Sequence, residues 1–324
     1  MRKKFALTLA LVLAAGVLMG CGKQDTPGKL GKLSIVTTIF PEYDWVREIL
    51  GEQVDEVEVT VLLDSSVDLH CYQPTADDMI RIADCDLFIC VGGESDDWVD
   101  GALRNTSGSD RRAIKLLDVL GDSAREEEIV EGMQVGTEEH SGKEDAEFDE
   151  HVWLSLKNAE AFCRAIADML AELDPANQDI YMANASAYID KLLTLDEAYQ
   201  RVVDSAPRKT ILFGDRFPFR YLADDYGLTY YAAFAGCSAE TEASFETISF
   251  LAGKIDELQL PCVLTIEGAQ HRIAETIVRN TAEQNQKILT MDSMQSITSG
   301  DTAAGVSYLS IMEKNLSILK EALN

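Results

Sequence analysis

The chain has 324 residues, 46% of them hydrophobic, enough for sizeable buried cores and, as a prior, for two domains rather than one. Its formal net charge of −28 sets 56 Asp and Glu against 28 Lys and Arg. Such a surface repels phosphate backbones and anionic headgroups, which excludes nucleic acid as a partner and leaves cations compatible.

The chain opens with Arg2-Lys3-Lys4, the apolar stretch Phe5 to Met19, and Leu18-Met19-Gly20-Cys21. A charged start, an apolar run and a small residue before a cysteine predict a bacterial lipoprotein signal over residues 1–20, with Cys21 lipidated. The mature body then lies on the extracytoplasmic face of the cell membrane, held by its lipid. Read instead as a transmembrane helix, the stretch falls short of the ~20 apolar residues that span a bilayer. Residues 21–32 are polar and contain Gly and Pro, so they read as a flexible tether.

From Leu33 onward, short β-rich runs alternate with helical stretches. LSIVTTIF (33–40) is a first strand, and Pro41 opens a helix, where a missing N–H costs nothing. VEVTVLL (57–63) is a second strand, followed by the loop SSVDLHCYQ and by Thr75, which caps the next helix with Asp78 in its first turn. DLFICVGG (86–93) is a third strand. Residues 121–150 are acidic and lack a sustained apolar period, which predicts a largely exposed loop.

Ile180, Tyr181, Ala185, Tyr188, Leu192, Leu195 and Tyr199 recur at helical spacing, and Pro207 ends the run. A second alternating block follows, with strands in TILFG (210–214), CVLTIE (262–267) and KILTMD (287–292) and a last helix from Val306 to Leu323. The expected fold is α/β: two Rossmann-like lobes of mostly parallel sheet, 33–175 and 207–324, joined by one long interdomain helix, 176–206.

Seven cysteines and four histidines are the scarce, chemistry-bearing residues. Beyond Cys21, no cysteine spacing forms a zinc-knuckle pattern, and several sit in apolar contexts such as LFICV around Cys90, where a thiol behaves as a small hydrophobe. Two histidines occupy loops at predicted element edges: His70 after the second strand and His151 in Asp149-Glu150-His151-Val152-Trp153. In open α/β sheets ligands gather outside the carboxyl ends of strands, and imidazole is the commonest transition-metal ligand.

The surrounding words carry a resemblance. His70-Cys71-Tyr72-Gln73-Pro74-Thr75, then Ala83-Asp84-Cys85-Asp86-Leu87-Phe88-Ile89, Gly92-Gly93 and Trp98 are similar to the first-ligand region of the zinc/manganese-type substrate-binding lipoproteins of ABC transporters, the cluster A-I family. Asp149-Glu150-His151-Val152-Trp153-Leu154 with Lys157-Asn158-Ala159 resembles that family's second-ligand motif. Tyr221-Leu222-Ala223 with Tyr226-Gly227-Leu228, then Asp292-Ser293, then Tyr308, Met312 and Asn315 continue it to the C-terminus.

The resemblance implies a rigid bilobed protein with metal in its cleft, His70 and His151 coming from the N-terminal lobe and Asp292 from the C-terminal lobe. A third ligand slot falls, without gaps, on Arg216, which has no lone pair to donate. Asp215 is the expected substitute, with water as the alternative. Zinc is the expected transported ion and manganese the alternative, since the same atoms suit both. The implied partners are a cognate ABC permease and the lipid anchor, with the protein acting as a monomer. His140 lies in a stretch that resembles the family's metal-collecting loop.

Two other classes share some of these features. A secreted metal-dependent hydrolase could use the same histidines, but the sequence holds neither HExxH nor GxSxG. An adhesin-like interaction lipoprotein would bind no divalent metal.

Overall fold

The eight strands found among the described residues fall into two parallel sheets of four. In the first, β1 (Leu33–Thr37), β2 (Val57–Val61), β3 (Leu87–Cys90) and β4 (Arg112–Lys115) lie in the order β2-β1-β3-β4. In the second, β5 (Thr210–Phe217), β6 (Thr229–Ala235), β7 (Cys262–Ile266) and β8 (Lys287–Met291) lie in the order β6-β5-β7-β8. Both sheets therefore wind alike, and each has helices in its crossovers, as parallel neighbours require. The computed structural model describes residues 32–64, 68–104, 111–134, 147–238, 242–268 and 271–324. The predicted signal, Cys21 and His140 lie outside these residues.

Local chemistry sets the element ends. The first strand stops at Thr37, short of the expected 40, because Phe40 already begins the helix Phe40–Leu50. There Glu42 reaches back, its Oε2 accepting the backbone N–H of Thr38 at 2.8 Å and of Ile39 at 3.3 Å. Ile39 is the N-cap, so its N–H is one that a helix start leaves without a partner, whereas the Thr38 N–H also donates to Ile89 O at 3.1 Å. β4, the sequence Arg-Ala-Ile-Lys, carries no pattern that marks it as a strand and gains its place by pairing with β3.

The linking helix runs Gln178–Ser205, a length of ~42 Å at 1.5 Å per residue. Its buried face packs on the helices Phe40–Leu50 and Leu156–Leu173 of the first lobe and on Tyr308–Ala322 of the second. Asn184 Nδ2 donates to Ile49 O at 3.0 Å, and Tyr199 Oη donates to Met312 O at 2.7 Å. Trp45 lies between Phe162 and Tyr308, with ring centroids 5.6 and 5.1 Å away, pairings worth ~0.5–1.5 kcal/mol each beyond burial. One hydrophobic cluster accordingly runs from Ile35 to Leu323 through both sheets, and a smaller one lies between the second sheet and the helix Phe245–Leu258.

The described residues of the acidic segment, 121–134 and 147–150, are mostly exposed or half-buried, as its composition predicts. A few anchor it to the second sheet: Gln134 N–H donates to Ala233 O at 2.9 Å on β6, the edge strand, Tyr230 Oη donates to Glu128 at 3.0 Å, and Met133 is buried. The six cysteines among the described residues are unbridged; four are buried, Cys71 is exposed and Cys237 is intermediate. No helix among the described residues is long and apolar enough to cross a membrane.

Candidate metal centre

His70 sits in a single 3-10 turn, Leu69–Cys71, that Asp68 starts by accepting the His70 backbone N–H on Oδ1 at 3.0 Å. Pro74 and the Thr75 cap launch the next helix immediately afterwards, so the turn has little room to shift. His151 precedes another 3-10 turn, Val152–Leu154, and Asp149 holds it twice. Asp149 Oδ1 accepts from the His151 backbone N–H at 2.9 Å and lies 3.0 Å from His151 Nδ1. The His151 ring is fully buried, with Trp153 at a centroid distance of 5.2 Å.

These partners assign the tautomers. A carboxylate oxygen only accepts, so His151 Nδ1 carries the hydrogen and Nε2 the lone pair. His70 Nδ1 lies 2.8 Å from Ser95 Oγ and 3.2 Å from Glu150 Oε2. Ser95 in turn donates its backbone N–H to Glu150 Oε1 at 2.8 Å and its hydroxyl to Oε2. Ser95 Oγ is thus left to accept, and His70 Nδ1 also carries its hydrogen. Burial works to raise the Glu150 carboxyl, but hydrogen bonds from His70 and Ser95 outweigh it and hold Glu150 below the usual value. Glu150 stays an anion behind the imidazole. Gly93 makes this approach possible: at φ +92° it occupies left-handed backbone, and a Cβ there would collide with the Glu150 carboxylate.

The two Nε2 atoms face one another at 3.2 Å. Two lone pairs at that spacing repel unless a cation or proton lies between them. Nitrogens held at ~2.0–2.1 Å by a tetrahedral zinc stand roughly 3.3–3.4 Å apart, so the pair is set close to the bite a metal requires. A carboxylate behind each ring fixes its orientation and tautomer, the usual support for a ligating histidine.

The second lobe enters through the turn after β6. Among the described residues, the ligand atoms of His70, His151 and Cys237 all lie within 4.8 Å of one another. Cys237 N–H donates to Glu127 Oε1 at 3.0 Å. Burial, then the charges of Glu127, Asp149 and Glu150, push its thiol well up from the usual value. Sequence reading passed over Cys237 because nothing in its spacing sets it apart from five other thiols; its only local mark is the glycine before it. A Cβ on Gly236 would lie 3.0 Å from His151 Cε1 and Nδ1 and 3.0 Å from Phe217 O. Gly236→Ala is therefore expected to tilt the His151 ring and weaken zinc binding by roughly 10–100-fold, measured by calorimetric titration. Unchanged affinity would mean that the ring has slack.

The two expected carboxylates stand outside this group. Asp215, one residue before the Arg216 slot, turns Oδ1 onto the Arg216 backbone N–H at 2.9 Å, and burial raises its carboxyl. Asp292 caps its own loop, Oδ1 accepting Met294 N–H at 2.8 Å, while Asn315 brackets its backbone with two 2.8 Å hydrogen bonds. Glu267, at the end of β7, is the scaffold of that loop, accepting Ser293 N–H and Oγ–H at 2.6 Å each and Gln295 N–H at 3.1 Å. Arg216 has found an acid of its own: Nη2 lies 2.5 Å from Asp68 Oδ2, and burial of Asp68 is outweighed by this guanidinium, which keeps the carboxyl low. With its amide nitrogen turned to Asp68, Gln295 donates to both carboxylate oxygens at 3.0 and 3.2 Å. Asp68 thus joins the His70 turn to β5 and to the loop after β8.

Comparison with known proteins bears on this arrangement. Residues 35–322 match the family described as zinc-uptake complex component A, periplasmic. The chain is 32% identical over 322 residues to the zinc-binding lipoprotein AdcA of Streptococcus pneumoniae (strain ATCC BAA-255 / R6); the match covers 98% of this chain but only 61% of that protein's length. It is 28% identical over 330 residues to the high-affinity zinc uptake system protein ZnuA of Bacillus subtilis (strain 168), covering 100% of this chain and 99% of the relative. The crystal structure of the Zn(II)-bound ZnuA-like domain of Streptococcus pneumoniae AdcA superposes with a TM-score of 0.70 at 30% identity, over 90% of this chain and 99% of that one.

Proposed function

The chain belongs to the zinc-uptake complex component A family, and from that premise we propose that it captures zinc outside the cytoplasm and delivers it to an ABC permease. The observation that carries the reading is the pair of imidazole Nε2 atoms 3.2 Å apart, each ring backed by a carboxylate that fixes its tautomer. The acidic surface favours the approach of a cation. Lipidation at Cys21 would keep the monomer beside its permease.

His70 and His151 are the core of the proposed site, and Asp292 and Asp215 are its proposed carboxylate contributors. Their distance from the pair in the present arrangement gives mutation of either a smaller expected effect than mutation of a histidine.

Metal binding to the folded state alone stabilises it by mass action, ~2.7 kcal/mol at a hundredfold excess over Kd. For a domain of this size that corresponds to a rise of several degrees in Tm. Metal-stripped protein is thus expected to melt higher as zinc is added, in a calorimetric scan. A melting point indifferent to zinc would remove the main support for the reading.

A further inference from the structure

The two histidines leave a metal ion under-coordinated from the protein, and the turn after β6 supplies the donor nearest to hand. Gly236 brings the backbone against the His151 ring, and the next side chain along is Cys237, whose Sγ completes a set of three ligand atoms within 4.8 Å. A tetrahedral zinc with nitrogen at ~2.1 Å and sulfur at ~2.3 Å needs an N···S spacing of roughly 3.6 Å, inside that limit.

The turn is held in register from both sides. Glu127 Oε1 accepts the Cys237 N–H at 3.0 Å, and Arg216 reaches the following carbonyl, Ser238 O, at 3.5 Å while its other arm grips Asp68 beside the His70 turn. Arg216 thereby spans the site without donating to it: one guanidinium ties the cysteine turn to the histidine turn.

We infer that Cys237 is the third protein ligand, bound as a thiolate, and that it makes this a site for zinc rather than manganese. The inference rests on the zinc-carrier reading given above and specifies its donor set. On binding, the sulfur donates an electron pair to the metal and the S–H proton passes to solvent. A soft thiolate favours Zn²⁺, whereas Mn²⁺ is best served by oxygen donors.

The test is X-ray absorption at the zinc edge on the zinc-loaded full-length mature protein. One sulfur at ~2.3 Å beside imidazole nitrogens at ~2.0–2.1 Å is expected. Cys237→Ser should remove the sulfur, keep the imidazole scattering, weaken zinc by about tenfold or more and move manganese affinity little, so that zinc-over-manganese selectivity narrows. Cobalt-loaded wild type gives a readout that needs no variant, a sulfur-to-cobalt charge-transfer band in the near ultraviolet. Bound zinc surrounded by nitrogen and oxygen only would overturn the inference and leave the carrier reading standing. Sulfur scattering that survives Cys237→Ser and disappears in Cys71→Ser would overturn it too. Failure of the wild type to bind zinc at all would instead overturn the carrier reading.

Discussion

Replacing His70 or His151 by alanine is expected to lower zinc affinity by roughly two to three orders of magnitude. Structural zinc sites bind with about 10–16 kcal/mol shared over four ligands, so one imidazole accounts for roughly 3–4 kcal/mol. The two variants should differ in their side effects. His70 retains some exposure, whereas His151 is fully buried and its removal leaves Asp149 without the ring N–H at 3.0 Å. His151→Ala should therefore lower the melting point of the metal-free protein, and His70→Ala should lower it less, since Glu150 loses the ring N–H but keeps two hydrogen bonds from Ser95. Calorimetry in the presence of a competing chelator reads the affinity, and growth of a zinc-limited strain carrying each variant reads delivery. Wild-type affinity in either variant would remove that histidine from the site.

Glu42→Gln should flatten the pH dependence of stability. The Glu42 carboxyl is raised to about 8 by burial first and the nearby Asp96 second, against hydrogen bonds from Thr38 and Ile39. Asp96 is itself raised to about 7, chiefly by burial. A folded-state value above the unfolded one means that the folded chain holds the proton more tightly. The contribution of Glu42 is therefore fully present below about pH 4.5 and is lost as pH rises through about 8. The amount is on the order of a few kcal/mol. Glutamine keeps an oxygen for the Thr38 N–H and resembles the protonated acid but cannot ionise, so wild type and variant should be close at pH 5 and the wild type should fall behind as pH climbs to 9. Denaturant titrations at several pH values measure it. Parallel curves would show Glu42 to be charged throughout.

The architecture was readable from periodicity because buried parallel strands are short apolar runs and the linking helix repeats its apolar face over many turns. Family membership was readable from motifs such as Asp149-Glu150-His151-Val152-Trp153, in which the residues that build the turn and those that orient the ring are neighbours in sequence. Periodicity fails where tertiary contacts choose the structure. β4 exists because β3 offers it an edge, and Gln134, in the acidic segment, meets β6 at Ala233 O. The Arg216–Asp68 pair spans 148 positions and leaves no local trace. Cys237 meets the histidines only once two sheets far apart in sequence are brought together, and a turn of small residues gives no spacing rule that would have singled it out.

The helix Gln178–Ser205 contains neither proline nor glycine, and the core beneath it runs unbroken through both sheets. The helix therefore holds no residue that would weaken its own hydrogen-bond ladder. The histidines have their far nitrogens pinned by Asp149, Ser95 and Glu150. An ion bound between the two Nε2 atoms is then expected to leave slowly, because either ring can swing away only by breaking the hydrogen bonds behind it.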